Sequence, residues 1–178
     1  MIHPIKHFKT ITRHRIKVYE HCVKAGIPWQ GLVHDLSKYS PSEFIRGAIY
    51  YVGDQSPNTL ERKTIGTSMA WLHHKGRNKH HFEYWVDYQP ASRKQGPVRM
   101  PDKYLIEMFC DRVAASKIYQ GDNYTQEKPL EYFEKGFAKN AMHPESARVL
   151  ESWLTMLATQ GEDATFKYIK GLHQKVYR

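Results

Sequence analysis

A chain of 178 residues is long enough for one domain with a sizeable core, and 40% hydrophobic with 13% aromatic residues is a globular composition that excludes disorder. No apolar run reaches the roughly 18–20 residues that cross a bilayer. The basic N-terminal stretch MIHPIKHFKTITRHR lacks the apolar core of a secretory signal, and Cys22 and Cys110 alone cannot build a disulfide framework or a four-thiolate zinc site. The net charge of +9 favours an anionic partner such as a nucleotide, a sugar phosphate or nucleic acid, although no recognition motif singles out nucleic acid. A cytoplasmic protein with no membrane partner is expected.

Residues 10–25, TITRHRIKVYEHCVKA, place Ile11, His14, Val18, Cys22 and Ala25 at steps of three and four, one stripe of a helix. Gly26 stops it. Pro28 opens a short helix through Leu32 and Val33 that leads into His34-Asp35. Ser40-Pro41-Ser42-Glu43 has the form of a capping box, with Glu43 assigned to capping, and predicts a helix through Phe44, Ile45, Ala48 and Ile49. GDQSPN, 53–58, is a loop. Ser56-Pro57 then opens a helix whose buried face is expected at Ile65, Met69 and Leu72. HHKGRNKHHFEYW, 73–85, is a histidine-rich break, and 86–100, with Pro90, Gly96 and Pro97, reads as an exposed loop. Pro101 opens a helix aligning Leu105, Met108, Phe109 and Val113. Three more helices follow, at about 126–139, 144–160 and 162–177, the second carrying Leu150, Trp153, Leu154 and Leu157. With no repeat and no convincing strand, the expectation is an all-α fold. It would be a single compact bundle over 1–178 with about seven or eight helices.

Four features of this pattern could converge. His14 lies on an apolar stripe, His34-Asp35 follow a short helix, His73-His74 close a later one, and Asp111 sits among Met108, Phe109 and Val113. A carboxylate there is costly unless paired or metal-bound. Each has an ordinary alternative: a core histidine bonded to a carbonyl, a helix-end pair, an aspartate paired with a lysine or arginine. What sets them apart is their order, each on a separate element. By helix geometry His73 sits about 70° from the Ile65/Met69/Leu72 stripe and His74 nearly opposite it, so His73 is the better inward candidate. A second ion would use His73, His74 or both. Arg77, Lys79, His80 and His81 could grip phosphate oxygens, Arg77 with a bidentate fork. Trp71, Phe82, Tyr84 and Trp85 are expected to pack rather than stack a base.

That order resembles the HD-domain superfamily of metal-dependent phosphohydrolases, whose pattern is H…HD…D with optional histidines between. The matching words are His14 through Val18 to Gly26, LVHDLSK, AWLHHKGRNKHH and FCDRVAAS, within residues 10–120. The whole chain also resembles a bacterial and phage family of about this length with no assigned function. The resemblance implies a helical bundle of the HD type with His14, His34, Asp35 and Asp111 as metal ligands. It implies an Asp35 carboxylate able to bridge two ions, and a Lys38 that approaches the scissile phosphate. The spacing from His14 to His34 is shorter than usual in the superfamily, which makes His21 a rival first ligand; Val18 and Gly26 favour His14. On these grounds Asp35, Lys38 and His73 are the catalytic candidates.

Two imidazoles and two carboxylates suit zinc, manganese, iron, nickel or magnesium, as one ion or two. An ion with an open position lowers the pKa of its water toward ~7. The expected activity is hydrolysis of a small phosphoester, with a nucleotide first among the substrates. The alternatives are an oxygenase of the same fold holding two irons, and a basic, non-catalytic helical binding protein.

Overall fold

The computed structural model describes residues 2–176. Among them are ten α-helices, three 3-10 turns and one two-stranded antiparallel sheet, so the fold is predominantly α-helical. Helix α1 (Pro4–Ala25) starts at a proline whose missing N–H costs nothing in the first turn. Its buried residues, His7, Ile11, His14, Val18, His21, Cys22 and Ala25, keep the three–four spacing. The helix ends at Gly26, whose φ of +83° is open to glycine at little cost. Helix α2 (Pro28–Val33) folds straight back onto α1. A Cβ at Gly31 would lie 2.7 Å from that of Cys22, so the contact requires a glycine.

Next come α3 (Pro41–Ile49), α4 (Pro57–Ile65) and α5 (Met69–Lys75). The hairpin β1 (Val86–Gln89) and β2 (Lys94–Pro97) follows, paired Val86 to Pro97 and Gln89 to Lys94. Helix α6 (Asp102–Gln120) runs through the centre, followed by α7 (Lys128–Lys135), α8 (Ala138–Ala141), α9 (Pro144–Gln160) and α10 (Glu162–Val176). The core joins Val18 and Cys22 of α1 to Leu105, Phe109 and Val113 of α6. Leu150, Leu154 and Leu157 of α9 and Phe166 and Ile169 of α10 complete it. Phe109 meets Trp153 and Phe166 edge-on, at centroid distances of 6.2 and 5.6 Å.

Four expectations need correction. The segment read as a loop at 86–100 holds the hairpin. Its strands are mostly exposed, so no alternation of apolar and polar residues marks them. The helix expected at 126–139 breaks at Gly136 into α7 and α8. Together with the short α4 and α5, this raises the helix count above the expected seven or eight. Ile65, Met69 and Leu72 are 48, 47 and 47% exposed. Their apparent stripe spans Gly66 (φ +78°), where α4 stops, so Ile65 lies on one helix and Met69 and Leu72 on the next; α5 buries Ala70 and His74 instead. Finally, Ser40 makes no side-chain cap, and Glu43 turns inward, 5% exposed.

Candidate metal centre

The centre forms where α1, α2, α5 and α6 meet. Helix α2 ends at Val33, and Asp35 takes up a left-handed backbone, φ +53° and ψ +26°. Aspartate is among the few residues that enter this region with modest strain. The turn sends both His34 and Asp35 into the interior, each 1% exposed. Arg15 of α1 anchors it, donating from Nε to the His34 carbonyl at 2.7 Å and from Nη2 to the Leu32 carbonyl at 2.9 Å. These are carbonyls at the end of α2 that lack helical partners, as helix termini require.

His14, His34, Asp35 and Asp111 offer ligand atoms that all lie within 4.8 Å of one another. His14 Nε2 is 2.9 Å from Asp111 Oδ1 and 3.9 Å from Asp35 Oδ2. His34 Nε2 is 3.2 Å from Asp35 Oδ2 and 3.7 Å from Asp111 Oδ1. Close as they are, His14 Nε2, His34 Nε2 and both Asp35 oxygens are buried without an aligned hydrogen bond. A second group shares Asp35 and adds His74, His80 and His81. Asp35 Oδ1 is 3.2 Å from His74 Nε2 and 3.5 Å from His80 Nε2, another buried nitrogen without an aligned bond. Asp35 thus presents Oδ2 to one set of histidines and Oδ1 to the other.

Two glutamates stand behind the imidazoles. Glu107 Oε1 accepts from Nδ1 of His34 at 2.9 Å and of His80 at 3.0 Å. Glu43 accepts from Nδ1 of His74 at 2.7 Å and of His73 at 2.6 Å. An Nδ1–H committed to a carboxylate orients the ring and turns Nε2 toward Asp35, the face that a cation needs. Lys38, one 3-10 turn after Asp35, brings Nζ to 2.6 Å from Asp35 Oδ2.

Burial pushes carboxyls up and imidazoles down, and the groups here resolve that pressure differently. At Asp35 the charges of His34, Lys38 and His74 overcome burial and hold the carboxyl well below its usual range. At Asp111, His14 and His34 do the same. Burial also opposes the charging of His34, but Asp35, Asp111 and Glu107 outweigh it and raise the imidazole well above its ordinary value. For His14, burial and Lys38 prevail, and its pKa falls. The chain thus holds two ionised carboxylates beside a neutral imidazole.

The site candidates separate accordingly. His14, His34, Asp35, His74 and Asp111 come together. His73 does not, although its neighbour does: it hydrogen-bonds Glu43 and, through Nε2 at 3.0 Å, Ser42. The stripe that points to His73 is interrupted at Gly66, so α5 has a different rotation and turns His74 inward. His80 and His81 lie in the second ligand group rather than on a phosphate-gripping surface. Arg77 is exposed and donates to the His73 carbonyl, and Lys79 reaches over the rings of Tyr84 and Tyr104, so neither contacts the centre. His21, the rival first ligand, lies elsewhere: Nδ1 donates to the Cys110 carbonyl at 3.2 Å and Nε2 accepts from Lys117 at 3.1 Å. Sequence reasoning missed Glu107. Its one signal is its place four residues before Asp111, hence on the same helix face.

The chain belongs to a family of unknown function (DUF5662), whose profile matches residues 3–156. That span contains every residue of the centre. No curated protein and no solved structure matches the chain. No helix among the described residues is long and apolar enough to cross a membrane.

Proposed function

We propose that this protein is a metal-dependent phosphohydrolase of the HD type, acting on a small phosphoester such as a nucleotide. One observation carries the reading: two groups of buried ligand atoms from four helices and the loop after α5 share the two oxygens of Asp35. Lys38 already pairs with Asp35 Oδ2, but Asp35 Oδ1 and Nε2 of His14, His34 and His80 are buried without an aligned hydrogen bond, which is costly unless a further group meets them. The donor set of imidazole nitrogens and carboxylate oxygens fits zinc, manganese, iron, nickel or magnesium. His14, His34, Asp35 and Asp111 would hold one ion, and Asp35, His74, His80 and His81 a second. A bound divalent ion supplies Lewis acidity and a source of hydroxide near neutral pH.

The chain's own residues supply the rest. Glu107 and Glu43 hold the Nδ1 atoms of His34, His80 and His74 and so aim their Nε2 atoms at Asp35, where a divalent ion would displace any proton they carry. Lys38, its pKa raised by Asp35 and Asp111 against the pull of burial, stays protonated at the partly open edge of the site. There it can neutralise an incoming phosphoryl oxygen and the charge that grows in the transition state. An anionic substrate also suits the chain's net charge of +9.

The test is elemental analysis of the purified protein beside Asp35→Ala, followed by a nucleotide and phosphoester panel. The expected result is stoichiometric metal and turnover in the wild type and neither in the variant. Wild-type protein that takes up no divalent ion would end the reading. Bound iron with a mixed-valence signal and a silent panel would select the oxygenase alternative.

A further inference from the structure

Helix α1 carries a second apolar stripe that the core does not use. Ile5, Phe8, Ile16, Tyr19 and Val23 are 70, 49, 54, 42 and 44% exposed. At ~100° per residue these five and Thr12 fall within about 80° of one another, well away from the buried face. This is the spacing by which helices pack on helices. Leu32 of α2, 53% exposed, adjoins the stripe. Thr12, Arg15, Ile16, Tyr19 and Leu32 line a shallow hollow of about 200 Å³ between the two helices. Half-exposed side chains of this size each present roughly 100 Å². The patch is thus on the order of 600 Å², at the top of the range for the largest apolar patch of a monomer and most of the ~800 Å² per partner of a stable interface.

We infer that this face is the interface of a two-fold homodimer in which α1 packs antiparallel on α1 of a second copy. The stripe is close to palindromic. Inverted about position 14, Ile5 meets Val23, Thr12 meets Ile16, and Phe8 falls within one residue of Tyr19. An isologous contact demands such self-complementarity, and a foreign partner does not. Short Thr12 lines the hollow, and the inversion sets Ile16 of the other copy against it. The same symmetry brings Lys9 within one residue of Glu20, the only carboxylate on α1. The flank is otherwise basic, with Lys6, Arg13, Lys17 and Lys24. Salt therefore strengthens this dimer by screening like charges across an apolar seam, whereas it would weaken an acidic helix or an anionic lipid on the same face. The interface is independent of the proposed chemistry, although Arg15, at the edge of the hollow, also holds the His34 turn.

Sedimentation of the full chain over a concentration series, at low and raised salt, tests the inference. The expected mass is twice 20.9 kDa, with tighter association at raised salt. Ile16→Glu should give a monomer with unchanged helical circular dichroism. Copper-phenanthroline oxidation of the double variant Ile5→Cys/Val23→Cys should link two chains, and neither single variant should, because Cys22 and Cys110 are buried. Any of four results would overturn it: a wild-type monomer throughout, a dimer that survives Ile16→Glu, cross-linking of Ile5→Cys alone, or a monomer that binds phosphatidylserine vesicles through this face.

Discussion

His14 and His21 sit two turns apart on the same face of one helix, 7 and 1% exposed, and they do opposite things. Around His21 every polar atom is spoken for. Cys110 takes the Nδ1 proton, and Lys117 and Glu162 close over Nε2. Burial and Lys117 push its pKa down to about 4, so it stays neutral and ties α10 to α1 and α6. Around His14, two carboxylates approach the same nitrogen without aligning for a hydrogen bond. Burial of a histidine is therefore no mark of a site. Convergence of buried atoms that the protein leaves unsatisfied is one.

The largest expected effect tests that contrast directly. His14→Ala should lose bound metal and turnover while remaining folded. His21→Ala should keep its metal and lose about 1–3 kcal/mol of stability, because a buried network is opened. Elemental analysis and denaturant melts read both, and metal loss in the His21 variant alone would reverse the assignment. Next is Lys38→Ala, expected to cut kcat by roughly 10²–10³-fold with metal content unchanged; a loss confined to KM would leave Lys38 a binding group only. Glu107→Gln should weaken metal affinity by roughly 10–100-fold, as removal of a carboxylate behind a ligating imidazole does. Titration with a competing chelator measures it.

The smallest effect concerns His7, one heptad before His14. Burial and Lys38 lower its pKa from 6.5 to about 4, and its ring fits only because Gly47 has no Cβ, which would lie 2.2 Å from Nε2. The unfolded chain takes up a proton at His7 that the folded chain refuses. The stability from neutral His7 is therefore full above pH 6.5 and declines as pH falls toward 4. Melting temperatures across that window should fall less steeply in His7→Gln than in the wild type.

Much of this was legible in the chain. The stripe from Ile11 to Ala25, the stop at Gly26 and the Leu150–Leu157 stripe are local, because helix period and glycine conformation depend on near neighbours. The order His14, His34-Asp35, His73-His74, Asp111 was legible too, as residue types that resist burial placed in apolar surroundings. What only the tertiary structure decided was phase. A helix of two turns such as α5 has too few residues to fix its own rotation, and packing against α3 turned His74 inward and left His73 at the edge. The roles of Glu43 and Glu107, and the arrival of His80 and His81 from a loop, likewise depend on partners tens of residues away. Periodicity encodes which residues share a face; which face meets which is a property of the packed molecule.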